Sequence, residues 1–97
     1  LTGRDPATGD MPPQLDQQCA NMFGHVRALL AAAGGSPEDV LSMTVRVSDF
    51  RDRRALNTEW VTMFPLPESR PARQVVSADL DRGALIQCDL LAVLPVR

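Results

Sequence analysis

Arg73 opens a run, Gln74-Val75-Val76-Ser77-Ala78-Asp79-Leu80, that reads as a strand, and Ala84 to Leu94 reads as a second. A guanidinium stays charged at any relevant pH and offers paired N–H donors that fit a carboxylate bidentately. Gln87 and Asp89 are the polar residues of the second run, and residues two apart project from one strand face. Asp81-Arg82-Gly83 predicts a short turn between the runs, so the two strands are expected to be neighbours. An arginine at the mouth of one would then face two acceptor-bearing side chains on the other. That is a candidate anion site. The same residues also fit a surface arginine beside ordinary solvent-facing positions.

Other reactive side chains are sparse. Cys19 and Cys88 lie far apart, match no metal or redox spacing, and sit in apolar surroundings, so both read as small buried hydrophobes. His25 is the single histidine and has no thiol partner by spacing. No metal site and no cofactor is expected. The net charge of −2 lacks the basic stripe that nucleic acid or an anionic membrane would require. All ten basic residues are arginine, which together with abundant alanine reads as genome composition. There is no signal peptide or membrane-length apolar run, and the expected location is cytoplasmic.

The elements that must position these residues are legible in order. Leu1 to Pro13 reads as loop, rich in turn-forming Asp, Pro and Gly. A helix is predicted from about Gln14 to Ala33, with Leu15, Cys19, Met22, Val26, Leu29, Leu30 and Ala33 forming one apolar stripe. Gly34-Gly35 ends it. Ser36-Pro37-Glu38-Asp39 carries the marks of a single helical turn. Val40 to Ser48 reads as a strand with Met43, Val45 and Val47 on one face and Ser42, Thr44 and Arg46 on the other. Asp49 is a candidate cap for a second helix from about Arg51 or Asp52 to Phe64. Leu56, Trp60, Met63 and Phe64 form its apolar side, opposite Arg53, Arg54 and Glu59. Helix, strand, helix, strand, strand is an α+β layer with both helices on one face of a sheet. Residues 1–97 fit a single domain. The first helix offers more apolar surface than three short strands cover, which calls for strands upstream of Leu1 or strand contacts from a partner chain.

Taken together, Asp5-Pro-Ala-Thr-Gly9, the helix after Pro13, Ala32-Ala-Gly34 with Ser36-x-x-Asp39-Val40, Thr44-Val45, Leu56-Asn57-x-x-Trp60, Pro71-Ala-Arg73 and the closing apolar strand are a recognisable ordered set. The chain resembles the RidA (YjgF) family, whose members are labelled endoribonuclease L-PSP or enamine/imine deaminases. The resemblance covers essentially the whole chain. It implies a chorismate-mutase-like α+β fold assembled as a homotrimer, with ligand clefts between subunits. It also implies an N-terminal β-hairpin and a Ser-Gly-containing segment lining the cleft. This chain starts at about the point where that segment ends, so an N-terminal segment is expected to be missing from it.

Carried over residue by residue, the resemblance makes Arg73 the group that grips a substrate carboxylate. The main-chain carbonyl of Val75 becomes the acceptor that helps hold a hydrolytic water. Asn57 is a polar helix position within reach of the cleft, and equally an exposed helical asparagine. Ser77 shares a strand face with Arg73 and Val75. Trp60 reads as core or subunit contact and Arg70 as a solvated loop charge. Gln87 stands where the deaminases carry a glutamate. An amide can orient water but cannot act as a general acid or base near neutral pH. Asp89 lies about 6.6–6.8 Å further along the strand and reads as a solvent-facing or inter-subunit residue.

The expected partner is a small carboxylate, with deamination of a 2-imino or 2-aminoacrylate-type acid as the activity. A non-catalytic metabolite-binding or interaction trimer of the same fold is the alternative. Ribonuclease action would follow from the family label alone, and the acidic balance argues against it.

Overall fold

A computed structural model describes residues 1–96. Helix α1 spans Leu15–Ala32 and buries Cys19, Met22, Val26 and Leu30 of the predicted stripe, with Phe23 beside them, whereas Leu29 is left exposed. Gly34 takes a positive φ of 84°, and the Gly35 N–H reaches back to the Leu30 carbonyl at 2.8 Å, closing the helix end. Pro37–Asp39 form one 3₁₀ turn, fixed by the Ser36 N–H donating to Asp39 Oδ2 at 2.8 Å. Strand β1, Val40–Val47, follows directly.

Helix α2 spans Arg54–Met63 and buries Leu56, Trp60 and Met63. It starts two to three residues later than the sequence predicts. The Asp49 carboxylate accepts the Arg51 N–H at 3.0 Å, and the Asp52 N–H bonds the Asp49 carbonyl at 3.1 Å. This makes a separate turn ahead of the helix rather than capping it. A 3₁₀ turn at Pro67–Ser69 leads to β2, Ala72–Ser77, and the chain ends on β3, Ile86–Ala92.

The sheet order is β2-β1-β3. β1 pairs parallel with β2, with Met43 opposite Arg73, and antiparallel with β3, with Arg46 opposite Gln87. The expected neighbouring pair of closing strands is therefore absent: β1 lies between them. The reason is burial. Val40, Met43, Val45 and Val47 are all at most 5% exposed, and a strand this apolar gains most from neighbours on both edges. The helix after β1 returns the chain beside it in parallel. Residues 78–85 then cross the end of the sheet, where the Ala78 N–H bonds the Val47 carbonyl and the Ser48 N–H bonds the Leu85 carbonyl. The predicted turn exists inside this crossing, with Arg82 and Gly83 at φ 57° and 78°.

Both helices pack on the Met43–Val45–Val47 face, joined there by Ile86 and Cys88 in one core. The opposite face carries Ser42, Thr44, Arg46, Gln87, Asp89 and Leu91 by strand register, with no element of this chain over it among the described residues.

One buried polar side chain ties the core to its loops. Gln18, fully buried, donates from Nε2 to the carbonyls of Pro12 (2.7 Å) and Gly83 (3.0 Å). Its Oε1 accepts the Leu85 N–H at 2.8 Å. Further along α1, Asn21 Nδ2 donates to the Gly3 carbonyl at 3.1 Å and His25 Nε2 to the Arg4 carbonyl at 2.7 Å. Gly3 passes so close to α1 that a Cβ there would sit 2.3 Å from the Gln18 carbonyl oxygen. Leu1 exchanges two main-chain hydrogen bonds with Cys88, of 2.9 and 2.8 Å, which extends the sheet along the free edge of β3.

Replacing Gln18 with leucine removes three hydrogen bonds and strands main-chain groups in the interior. Gln18→Leu is expected to lower unfolding stability by about 2–4 kcal/mol, read from urea unfolding; a change below about 0.5 kcal/mol, the usual size of a neutral surface substitution, would refute the role. The cysteines make a second prediction. Burial, reinforced by the Glu59, Asp16 and Asp52 charges, pushes the Cys19 thiol up to about 12, and burial pushes Cys88 to about 11. At pH 8 the thiolate fraction is then on the order of one in a thousand or less. A disulfide-exchange reagent at pH 8 is expected to leave both thiols unreacted in the native protein and to titrate both after denaturation.

Candidate functional site

Arg73 lies on edge strand β2 and, paired with Met43, projects to the helix face. Its Nη1 donates to Asn57 Oδ1 at 2.9 Å, and its Cζ stands 4.9 Å from the centre of the Trp60 ring. Asn57 and Trp60 are three residues apart on α2, so both present to one side of the helix. Burial first, and the charge of Arg53 second, hold the Arg73 pKa below its ordinary value, yet a guanidinium remains protonated at neutral pH. Among the described residues no carboxylate pairs with it. The sequence-predicted Arg73 and Asn57 are thus brought together. Trp60, 7% exposed, is a core residue that packs on Phe64 with ring centres 4.6 Å apart and lends its face to Arg73.

Val75 is half-buried on the same face of β2. The Ala78 N–H points inward to β1, and main-chain groups alternate along a strand. The N–H and C=O groups of Arg73, Val75 and Ser77 therefore face the outer edge of the sheet. The Val75 carbonyl is on the same free edge as Arg73. Arg70 is not a solvated charge: its Nε donates to the Phe64 carbonyl at 2.7 Å and secures the end of α2.

Gln87 is elsewhere. It is half-buried on the uncovered face of β3, paired with Arg46 on one side and bridged to Thr2 on the other. With Thr2, Arg4 and Arg82 it lines a cavity of about 180 Å³. By strand geometry the backbones of Arg73 and Gln87 are on the order of 14 Å apart, on opposite edges, with side chains on opposite faces. One chain does not bring them together, which overturns the expectation that they face each other across neighbouring strands.

Asp89 shares the face of Gln87 but is engaged. Arg46 Nη1 donates to its Oδ2 at 2.5 Å, and that hydrogen bond holds the Asp89 carboxyl below the usual carboxylate range. It is an ion-paired carboxylate, not a spare acid. A surface hollow of about 830 Å³ between the start of α1 and residues 51–59 contains none of Arg73, Asn57, Val75 and Gln87. Among the described residues no three His, Cys, Asp or Glu side chains cluster as metal ligands would, and no helix is long and apolar enough to cross a membrane.

Sequence reasoning missed Gln18, Asn21 and His25, which anchor the strands and loops around Gln87. The available signal was a glutamine three residues after Leu15 and four before Met22, a polar residue on an apolar stripe.

Comparison with known proteins agrees with this fold. Residues 1–94 match the family described as endoribonuclease L-PSP. A RutC family protein of Pyrococcus horikoshii is 32% identical over 90 residues, covering 91% of this chain and 70% of that protein. The 2-iminobutanoate/2-iminopropanoate deaminase of Escherichia coli K12 is 30% identical over 91 residues, covering 92% and 71%. The crystal structure of RidA from the Antarctic bacterium Psychrobacter sp. superposes with a TM-score of 0.85 at 30% identity, covering 96% of this chain and 76% of that one. By sequence and by fold, the chain belongs to the endoribonuclease L-PSP family, the family of RidA and YjgF.

Proposed function

We propose that this protein is a cytoplasmic homotrimer that hydrolyses small 2-imino acids, or their enamine tautomers, in clefts between copies. The observation that carries the reading is Arg73: a half-buried guanidinium oriented by neutral Asn57 and Trp60, with its charge not neutralised by a carboxylate. A group so held suits a ligand carboxylate. The name of the Escherichia coli relative, a 2-iminobutanoate/2-iminopropanoate deaminase, supports the chemistry.

Because Arg73 and Gln87 occupy opposite edges and faces of one chain, a cleft using both takes Arg73, Asn57 and the Val75 carbonyl from one copy and Gln87 with Thr2 from another. Arg73 fixes the carboxylate and so places C2 of the imine. The Val75 carbonyl and the Gln87 amide hydrogen-bond a water, whose oxygen adds to C2. The carbon–nitrogen bond then breaks, leaving a 2-oxo acid and ammonia. Gln87 orients the water and moves no proton, so both transfers run through solvent. A proton passes from the adding water to the imine nitrogen. The hydroxyl proton of the resulting carbinolamine passes to the amine as the carbon–nitrogen bond breaks and ammonia leaves.

A second reading has a specific observation in its favour. Gln87 cannot act as an acid or base, and Asp89 is occupied by Arg46. The same trimer without catalysis is then a carboxylate-binding protein.

Freshly generated 2-iminopropanoate decides between them. Deaminase action predicts ammonia release above the buffer rate and a loss of at least about 100-fold in kcat/KM for Arg73→Ala. Gln87→Glu is expected to raise the rate by about tenfold or more by supplying a proton-transfer group. Buffer rates for wild type and both variants would leave the binding reading. The shared cleft has its own test in mixing. Arg73→Ala chains co-refolded with Gln87→Trp chains should regain about a quarter of the wild-type rate, since one cleft in four then has both sides intact in a random closed ring. A site within one chain regains nothing.

A further inference from the structure

Residues 81–84 make a tight turn in which the Ala84 N–H donates to the Asp81 carbonyl at 3.0 Å. Its central residues, Arg82 and Gly83, have φ of 57° and 78°, a backbone that glycine and asparagine adopt most readily. An arginine there is strained by its Cβ. Arg82 is the only non-glycine residue so placed among the described residues. No contact within the chain offsets that strain. The side chain is exposed and has no carboxylate partner among the described residues. A strained residue without an internal partner points to something outside the chain.

The turn borders the cavity of about 180 Å³ at Gln87, which Thr2, Arg4, Asp81 and Arg82 also line. Arg4 is half-buried, and its Nη1 donates to the Gly9 carbonyl at 3.0 Å. That neutral partner orients the guanidinium and leaves its charge. The main chain at both arginines is pinned from α1, by His25 at the Arg4 carbonyl and by Gln18 at the Gly83 carbonyl. The cations therefore stand on fixed backbone rather than on a loose loop. The Gln87 amide and the Thr2 hydroxyl bond no other group among the described residues, so their donors are unspent. Asp81 is the one acid in the lining. Two guanidiniums against one carboxylate make this hollow locally positive on a chain whose net charge is −2.

We propose that the cavity at Gln87 binds a small oxyanion, a carboxylate or a phosphate group, held by Arg82 and Arg4 and hydrogen-bonded by the Gln87 amide. Guanidinium and amide N–H groups are the donors such oxygens take. The space is sufficient, since at roughly 30 Å³ per water the hollow holds about six, more than one such group displaces. The site does not depend on the reading of Arg73, which lies on the opposite edge strand.

Amide NMR of the full chain, titrated with sodium acetate and separately with inorganic phosphate at constant ionic strength, tests this. Saturable shifts are expected at the Gln87 side-chain amide and at the Arg82 and Gly83 N–H groups, and they should persist in Arg73→Ala. Asparagine suits the turn better than arginine, so Arg82→Asn is expected to keep the core amide shifts while weakening the anion about tenfold. Arg82→Lys should retain most of the affinity, because charge carries most of the contact. Tighter binding of phosphate assigns a phosphate group as the ligand, and tighter binding of acetate a carboxylate; either upholds the site. Shifts that never saturate, or that centre away from Gln87 and the turn, overturn the proposal. So does binding that survives Arg82→Asn undiminished or is abolished by Arg73→Ala.

Discussion

The central position of β1 is the constraint from which the rest of the molecule follows. Its inward face, Val40, Met43, Val45 and Val47, is nearly inaccessible to water, and both of its edges are paired. A strand buried on one face and bonded on both sides must divide its neighbours. β2 takes one edge in parallel and β3 takes the other antiparallel. The side chains of β2 that could bind an anion then face α2, whereas Gln87 faces the uncovered side of the sheet beyond β1. No rotamer change can close that gap. Chemistry that needs both residues would need two copies of the chain.

That face is mixed in character. Leu91 is 60% exposed beside the Arg46–Asp89 pair, whose side chains are 35% and 65% exposed. In water such a pair contributes little, on the order of 0–1 kcal/mol. Covered by another sheet it would matter more, because each charge would then depend on the other for solvation. Its strand positions also account for Asp89 failing to stand in for a catalytic acid. The residue that could have supplied a proton is spent holding Arg46 across the β1–β3 ladder.

Periodicity made much of this readable in advance. The stripe of α1 and the alternation of β1 are direct records of which side meets the core, so Cys19, Met22, Val26, Met43, Val45 and Val47 were all placed by sequence. Strand order was not readable, for a physical reason. Asp81-Arg82-Gly83 does form a turn with two left-handed residues, but a turn records only local backbone geometry. Whether it joins adjacent strands or sits within a crossing over a third depends on the burial of β1, dozens of residues away. Asn57 illustrates a related limit. Helical spacing leaves it an ordinary exposed asparagine; family resemblance raised it as a cleft residue, and its contact with Arg73 is a tertiary fact. Arg70 was misjudged because nothing in a proline-rich loop announces that a guanidinium folds back to the Phe64 carbonyl.

The two edges of the sheet are held by different physics, and the difference bears on what each can do. Around Gln87, side-chain hydrogen bonds from Gln18, Asn21 and His25 fix the N-terminal segment and the 83–85 segment to α1. Such bonds set the geometry of this edge. Around Arg73 the orienting partners are an amide and an indole face. An aspartate at position 57 would hold the guanidinium more tightly but would cancel its charge. Asparagine directs one N–H and leaves the positive charge and the remaining donors unspent, while Trp60 keeps water from one side. Among the described residues Arg73 is thus a cation that is positioned yet not neutralised by a carboxylate, an arrangement suited to an anion.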